Sequence, residues 1–455
     1  MSNENAITPA QIAARIERLP FSPWHVKVRI VMGVATFFDA FDALAIAYVL
    51  PVLIPMWKLA PGQIGLLISI GFAGQLVGAI LFGWLAERVG RVRVAAWTIG
   101  IFSVFSLVCA FAWSYPSMLA FRFFQGLGLG GQVPIAAAYI NEIAKAEKRG
   151  RFFLLYEVIF PVGLLAVALV STWVVPNLGW QWMFVIGALP VLLAAVLRRL
   201  VPESPRWLAS AGRLEEAGRT MQAIEEEVSR RSGKPLPPLA ASLAGVASAR
   251  ASWRDLFSGI YLSRTLAVWV MWFCTYLIVY GISGWLPTIY RTIFKLPLQQ
   301  ALQYSLAATT AGLVGALACA YLIDRTGRRA WFTLAFFAGA VPLFVLWLRG
   351  SGNSAVDVMI YASLSYAMIN TLALGLYLYT PEIYPTRVRA IGSGASTAWL
   401  RVASMIGPFM IGAVLPQAGL GTVFLVFGVA AAIGGAVAAL FTLETRGRVL
   451  EELSP

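Results

Sequence analysis

Charge is what this sequence has least of. Only 12% of its 455 residues are Asp, Glu, Lys or Arg, while 59% are hydrophobic. Soluble domains carry roughly 25% charged and 45–50% apolar residues, so a water-soluble fold is excluded. Histidine is nearly missing as well. His25 stands alone, which argues against histidine-based catalysis and histidine-rich zinc sites. The three cysteines, Cys109, Cys274 and Cys319, all fall inside apolar runs and imply neither a disulfide framework nor a metal site. Acids are scarcer than bases, 21 against 35, for a net charge of +14. Such an excess can mark nucleic-acid binding. In a chain this apolar, the preference of membrane proteins for basic cytoplasmic loops explains it better, and no nucleic-acid partner is expected. No phosphate-binding loop of the Walker type occurs, so direct driving by ATP is not expected. The first 20 residues are polar and charged, unlike a cleavable signal. No enzyme activity and no cofactor are expected.

What the chain does contain is a succession of apolar runs. A bilayer-spanning helix needs about 20 residues. Runs near that length or longer fall at about 28–56, 62–86, 93–113, 117–141, 151–174 and 180–200, then at 264–290, 299–323, 330–348, 356–380, 389–415 and 419–442. The reading is an all-α membrane protein with twelve transmembrane helices in two six-helix bundles, 28–200 and 264–442. A polar tail (1–27, with a short helix around Pro9–Leu19), a central segment (201–263) and a second tail (443–455) complete it. The charged stretch 213–230 predicts amphipathic helices under the two bundles, and 232–250 reads as a linker. With both termini in the cytoplasm, 29 of the 35 basic residues lie on that side. Four lie outside (Lys58, Arg291, Lys295, Arg349) and two, Arg122 and Arg401, within the membrane. So strong a bias predicts an N-in, C-in topology.

The buried charges are the informative ones. Asp39 and Asp42 sit mid-way along the first run, three residues apart and therefore on one helix face. A carboxylate there costs at least ~2.5–3.5 kcal/mol on insertion scales, so an intramembrane acid is a functional candidate by default. Close like charges and burial both favour protonation, which makes the pair the first candidate for proton coupling. Glu157 is a second, though it lies only ~9 Å along a helix from Arg151, where a structural bond or a gate competes equally. Arg401 lies twelve residues beyond Arg389, ~18 Å deep at helical rise. Its planar fork suits a substrate carboxylate, with a permanent bridge to Asp39 or Asp42 as the alternative. Arg122 suits a structural pairing with Asp39 or Asp42, which would tune those acids, with direct ligand contact as the alternative. Asn370 could bond a ring heteroatom or simply pack helices. Gly126, Gly128, Gly130 and Gly131 follow no strand, so they mark close helix packing rather than a dinucleotide loop.

An internal repeat ties these parts together. Glu87-Arg88-Val89-Gly90-Arg91 closes the second run, and Asp324-Arg325-Thr326-Gly327-Arg328 closes the eighth. Glu142 and Glu382 end the fourth and tenth runs, followed by Arg151 and Arg389. These residues form the expected cytoplasmic gate, a charge latch in each half that closes when the protein faces outward. With Pro202-Glu203-Ser204-Pro205-Arg206, Pro381-Glu382-Ile383-Tyr384-Pro385 and Leu443-Glu444-Thr445-Arg446, the chain resembles a major facilitator superfamily transporter over essentially its whole length.

That resemblance implies two nested-repeat halves around a midplane substrate site, alternating access and a functional monomer. Asp39-Ala40-Phe41-Asp42 is similar to the paired acids of aromatic acid:proton symporters. Arg122-Phe123-Phe124-Gln125-Gly126 resembles the branch that includes bacterial niacin transporters and animal organic anion transporters. Arg401 matches an arginine of the anion carriers, and Trp272, Tyr280 and Tyr377 match places where they carry aromatics. The resemblance implies a proton-coupled carrier, in a bacterial-type inner membrane, of a small anionic aromatic substrate. Nicotinate comes first, with benzoate or hydroxybenzoate next. A sugar transporter, an organic cation transporter and a non-transporting membrane sensor stay open.

Overall fold

The computed structural model describes residues 7–145, 156–232, 235–239, 252–385 and 388–446. All regular structure in it is helical, as a lipid-embedded chain requires when every backbone group must be paired within its own segment. Helix α1 (Pro9–Arg18) is short and starts at Thr8, whose hydroxyl accepts from the Gln11 amide at 3.2 Å while the Gln11 side chain accepts from Thr8 N at 3.0 Å. There follow α2 (Pro23–Trp57), α3 (Pro61–Val89), α4 (Arg91–Ala110), α5 (Tyr115–Ile143), α6 (Ile159–Asn177), α7 (Gln181–Gly187) and α8 (Val191–Leu200). The central segment gives α9 (Pro205–Ser210) and α10 (Leu214–Ser232). The remainder is α11 (Ile260–Thr292), α12 (Leu298–Thr326), α13 (Arg328–Arg349), α14 (Ala355–Glu382) and α15 (Arg389–Phe441).

Among the described residues, ten helical stretches are long and apolar enough to cross a bilayer, counting α7 with α8 as one and α15 as one. Two features separate this from the twelve predicted runs. Helix α5 carries Arg122, Gln125, Gln132, Asn141 and Glu142, which dilute its apolar character. Helix α15 joins the last two predicted runs, but it is not straight. Gly419 adopts φ 76° and ψ 173°, outside helical space and accessible to glycine at little cost, and the chain reverses there. The sixth predicted run is broken at Ala188–Pro190, which leaves α7 and α8.

Two single-glycine turns show the repeat in three dimensions. Gly90 (φ 123°) joins α3 to α4, and Gly327 (φ 90°) joins α12 to α13. A side chain at either would also strike a carboxylate, that of Glu203 or of Glu444. Helices α2–α8 pack chiefly on one another, as do α11–α15. Among the described residues, the main crossings between the sets are α3 with α15, α6 with α12, and α2 with α11.

The central helices pack on α1, α2 and α5, so they sit against the first set and not evenly under both. Glu225 of α10 clamps α1. It accepts from Arg15 at 3.0 and 2.7 Å and from Arg18 at 3.1 and 2.7 Å. Burial pushes its carboxyl up, but the two arginines outweigh that and hold it below the ordinary value. Ile12, Ile16 and Leu19 are buried beneath the clamp. The face bearing α1, α9, α10 and Thr442–Arg446 is the terminal face. The α2–α3, α4–α5, α11–α12 and α13–α14 turns lie at the opposite face.

Candidate substrate cavity

The crossing of α3 and α15 decides where the cavity lies. Near the opposite face their backbones touch. A side chain on Gly65 would collide with Pro408 and Phe409, and one on Gly412 would collide with Pro61 and Gly65. Small residues are what allow helices to approach so closely. Deeper in, Ser69 Oγ donates to the Met405 carbonyl at 2.6 Å. Deeper still, Arg401 Nη1 donates to the side-chain oxygen of Gln75. This seam joins the two sets of helices near the opposite face.

Beneath it, toward the terminal face, is a cavity with about 680 Å³ of empty space, counting what opens outward. Arg401, Asn370, Tyr280, Tyr377 and Glu157 all line it. The structure thus brings together five predicted residues from four helical stretches distant in sequence. Tyr276 and Thr36 line it too and were not singled out from the sequence. Tyr276 was legible, because Trp272, Tyr276 and Tyr280 recur at four-residue spacing and so share one helix face. Trp272 is not a lining residue. It stands behind the wall, stacked on Tyr276 (5.5 Å between rings), edge-on to Tyr377 (4.8 Å), with its indole N–H donated to Thr380 at 3.0 Å. A smaller apolar cavity of about 310 Å³, lined by Cys319, Ile323 and Val158 among others, shares Leu374 with the first and continues toward the terminal face.

Arg401 makes no ion pair among the described residues, although Asp39 is near enough to feel its charge. The permanent bridge weighed from the sequence is therefore not formed. Asn370 donates one amide hydrogen to the Gly312 carbonyl at 3.0 Å, and its second meets no acceptor among the described residues. Glu157 is 7% exposed and hydrogen-bonds to no described residue.

Asp42 is fully buried away from the cavity lining. Ser106 Oγ lies 2.9 Å from Asp42 Oδ1 and 2.9 Å from the Phe184 carbonyl. A hydroxyl has one hydrogen for these two acceptors. When it goes to the carbonyl, the second contact needs a proton on Asp42. Arg122 pairs with neither acid directly. Its Nη1 donates to the Asp42 backbone carbonyl at 3.1 Å and to Gln125 Oε1 at 2.6 Å. The glycines of α5 explain how α3 and α5 come so close: side chains at Gly126 and Gly130 would strike the Gly71 and Gln75 carbonyls.

At the terminal face two charge clusters are formed, each within its own set of helices. Arg91 bonds Glu87 at 2.8 Å and Glu142 at 3.1 Å. Arg328 bonds Asp324 at 2.7 Å and Glu382 at 3.2 Å. The sequence did not reveal the third partner of each. Glu203 accepts from Val92 N at 3.0 Å, capping α4. Glu444 accepts from Arg328 N at 3.0 Å and Arg329 N at 3.1 Å, capping α13. Burial pushes Glu444 up, but these amides and that of Arg446 hold it below the ordinary carboxylate value. Three predicted members stand apart. Arg88 lies over the Trp84 ring at 4.1 Å, Arg389 donates to the Tyr384 carbonyl at 3.4 Å, and Arg325 accepts from Arg446 through its backbone carbonyl. Arg151 lies outside the described residues. Among the described residues no cluster of three metal-ligating side chains occurs.

Comparison with known proteins gives these features a context. The sequence profile of the sugar (and other) transporter family matches residues 44–455. The niacin transporter NiaP of Acinetobacter baylyi is 36% identical over 97% of this chain and 99% of its own length. A putative niacin/nicotinamide transporter NiaP of Bacillus subtilis is 30% identical over 92% of this chain and 96% of its own. In shape, the chain is similar to the xylose transporter XylE from E. coli in a partially occluded inward open conformation. That match has a TM-score of 0.74 at 18% identity and covers 94% of this chain and 100% of that one. So distant a likeness speaks for the fold alone.

Proposed function

The chain belongs to the sugar (and other) transporter family of the major facilitator superfamily and is a multi-pass membrane transporter, not an enzyme; on that footing we infer that it carries a small aromatic monocarboxylate, first of all nicotinate. The observation that carries this is Arg401, a cavity-lining guanidinium with no counter-ion among the described residues, ringed by Tyr276, Tyr280 and Tyr377. A partly buried cation facing a membrane cavity is costly unless an anion completes it, and the substrate carboxylate is that anion. The aromatic walls take the ring, with Trp272 fixing Tyr276 and Tyr377 from behind. The unused Asn370 amide hydrogen serves the pyridine nitrogen, which favours nicotinate over benzoate. The names of the two niacin-transporter relatives agree with this choice. A sugar cavity would be lined mainly by neutral amides and hydroxyls, whereas this one holds an arginine and a glutamate.

Transport is coupled to protons in this reading. Asp39, Asp42 and Glu157 load a proton that offsets the substrate charge, and Arg122 supports the Asp42 backbone. The chain crosses the membrane twelve times, with α5 and both limbs of α15 counted, in bundles 28–200 and 264–442. It lies N-in, C-in, as a monomer in a bacterial-type inner membrane. The terminal face is then cytoplasmic, and the seam near the opposite face makes this the inward-facing form. Arg91 and Arg328, with their acids, frame the cytoplasmic gate; because each cluster lies within one set of helices, both are formed in this inward-facing form, contrary to a latch that closes only when the protein faces outward.

Labelled nicotinate and benzoate, offered to proteoliposomes with and without an inward proton gradient, test this reading. Gradient-dependent accumulation of nicotinate is the expected result. Equal equilibration regardless of gradient removes the coupling role of the acids. Uptake of neither compound removes the anion site.

A further inference from the structure

Gln75 has no part in the function derived so far, yet it is the residue that touches Arg401. It is 3% exposed, on α3, and its side-chain oxygen accepts from Arg401 Nη1 across the two sets of helices. Its backbone is immobilised, because α5 packs against it with Gly130, where any side chain would strike the Gln75 carbonyl. Arg401 Nε and Nη2 hydrogen-bond to no described residue. The guanidinium is thus held at one nitrogen by a rigid neighbour, while its other edge remains for a ligand that lines up two acceptors.

The chemistry of position 75 matters as much as its place. A carboxamide accepts a hydrogen bond without cancelling charge. A carboxylate of the same shape would form an internal ion pair and leave no net positive charge to draw an anion. We propose that Gln75 is a positioning and specificity residue: a neutral acceptor that aims the Nε–Nη2 edge of Arg401 into the cavity and keeps the site selective for anions. The inference rests on the anion-site reading above and deepens it. Because the bond spans α3 and α15, it also aims Arg401 only while the opposite-face seam is closed. Anion binding is thereby linked to that closure.

The test compares Gln75→Glu with Gln75→Ala, using nicotinate binding to the purified full-length transporter by calorimetry, with unliganded melting temperature as the folding control. Glutamate matches glutamine in shape and alanine does not. A purely structural role would make alanine the worse substitution. The proposed role reverses that order: Gln75→Glu lowers nicotinate affinity at least tenfold more than Gln75→Ala, while its melting temperature stays at or above that of the parent. Equal affinities, or a smaller loss with glutamate, overturn the proposal. If Gln75→Glu does not fold, Gln75→Ala decides: a loss of several-fold supports positioning, and full affinity overturns it. Arg401→Ala separates the two levels. If it binds nicotinate as the parent does, the anion-site reading itself fails. If it loses binding while both Gln75 variants retain it, only the role of Gln75 fails. A parent that binds neither nicotinate nor benzoate removes the site and this inference together.

Discussion

The two sets of helices are near copies at the terminal face and opposites at mid-membrane. At the terminal face, Arg91 and Arg328 are each 11% exposed in their side chains. Each bonds an exposed acid four residues before it, Glu87 (67%) or Asp324 (72%), and a half-buried one on another helix, Glu142 or Glu382 (19% each). Each cluster has a third acid, Glu203 or Glu444, on the following helix start. At mid-membrane nothing matches. The first set supplies Asp39, Asp42 and Glu157 with Arg122, and the second supplies Arg401 and the aromatic wall. The difference teaches how a duplicated scaffold divides its labour. In the proposed reading, the equal parts serve a gate that closes symmetrically, and the unlike parts serve a site that moves an anion with a proton, with a cation for one cargo and acids for the other.

That contrast can be broken at several points. The largest effect belongs to Arg401. Two charge-assisted hydrogen bonds from the partly buried guanidinium to a carboxylate are worth about 1.5–3 kcal/mol each, together more than ~100-fold, so Arg401→Ala should abolish saturable nicotinate uptake at normal membrane levels. The gate comes next. Arg91→Ala and Arg328→Ala should each slow uptake about tenfold with nicotinate affinity within twofold of the parent, if about 1–2 kcal/mol of partly buried pairing is lost. A large inequality between the two rates would undo the symmetry claimed for the gate. Tyr276→Ala should raise the KM for nicotinate about five- to tenfold, from aromatic contact worth ~0.5–1.5 kcal/mol. The smallest effect lies outside the membrane. Glu225 is held below its ordinary value of 4.5, so its clamp on α1 stabilises fully above that pH and loses its contribution as pH falls below it. Glu225→Gln should lower the melting temperature by about 1–3 °C at pH 7 and by less at pH 4. An equal drop at both values would mean that charge is not what holds α1.

Much of this arrangement was legible in the chain. Hydropathy and the repeated acid-Arg-x-Gly-Arg turn gave the helices and their pairing, because lipid leaves an exposed segment few alternatives to helix. Asn370, Tyr280, Tyr377, Arg401 and Glu157 reach one cavity because polar and aromatic groups in apolar runs tend to face inward. Gln75 obeyed the same rule but was passed over, since a single glutamine carries no charge to draw notice. What it does depends on the α3–α15 crossing, a contact between residues far apart in sequence. Trp272 was misplaced by one layer for the same reason: spacing gives a helix face but not the depth behind its neighbours. The kink at Gly419 hangs on one backbone angle, which hydropathy does not report, and the break after α7 falls at Ala188–Pro190, where Pro190 has no N–H to donate.

The central claim is that the acids of the first set carry the proton and the arginine of the second carries the anion. One measurement separates them: the double variant Asp39→Asn, Asp42→Asn in proteoliposomes, assayed both for nicotinate exchange at equal internal and external concentration and for accumulation driven by a proton gradient. The account expects exchange at a rate near that of the parent and no accumulation above equilibrium. Accumulation equal to the parent would contradict it, and so would loss of exchange in a protein that still folds and still binds nicotinate.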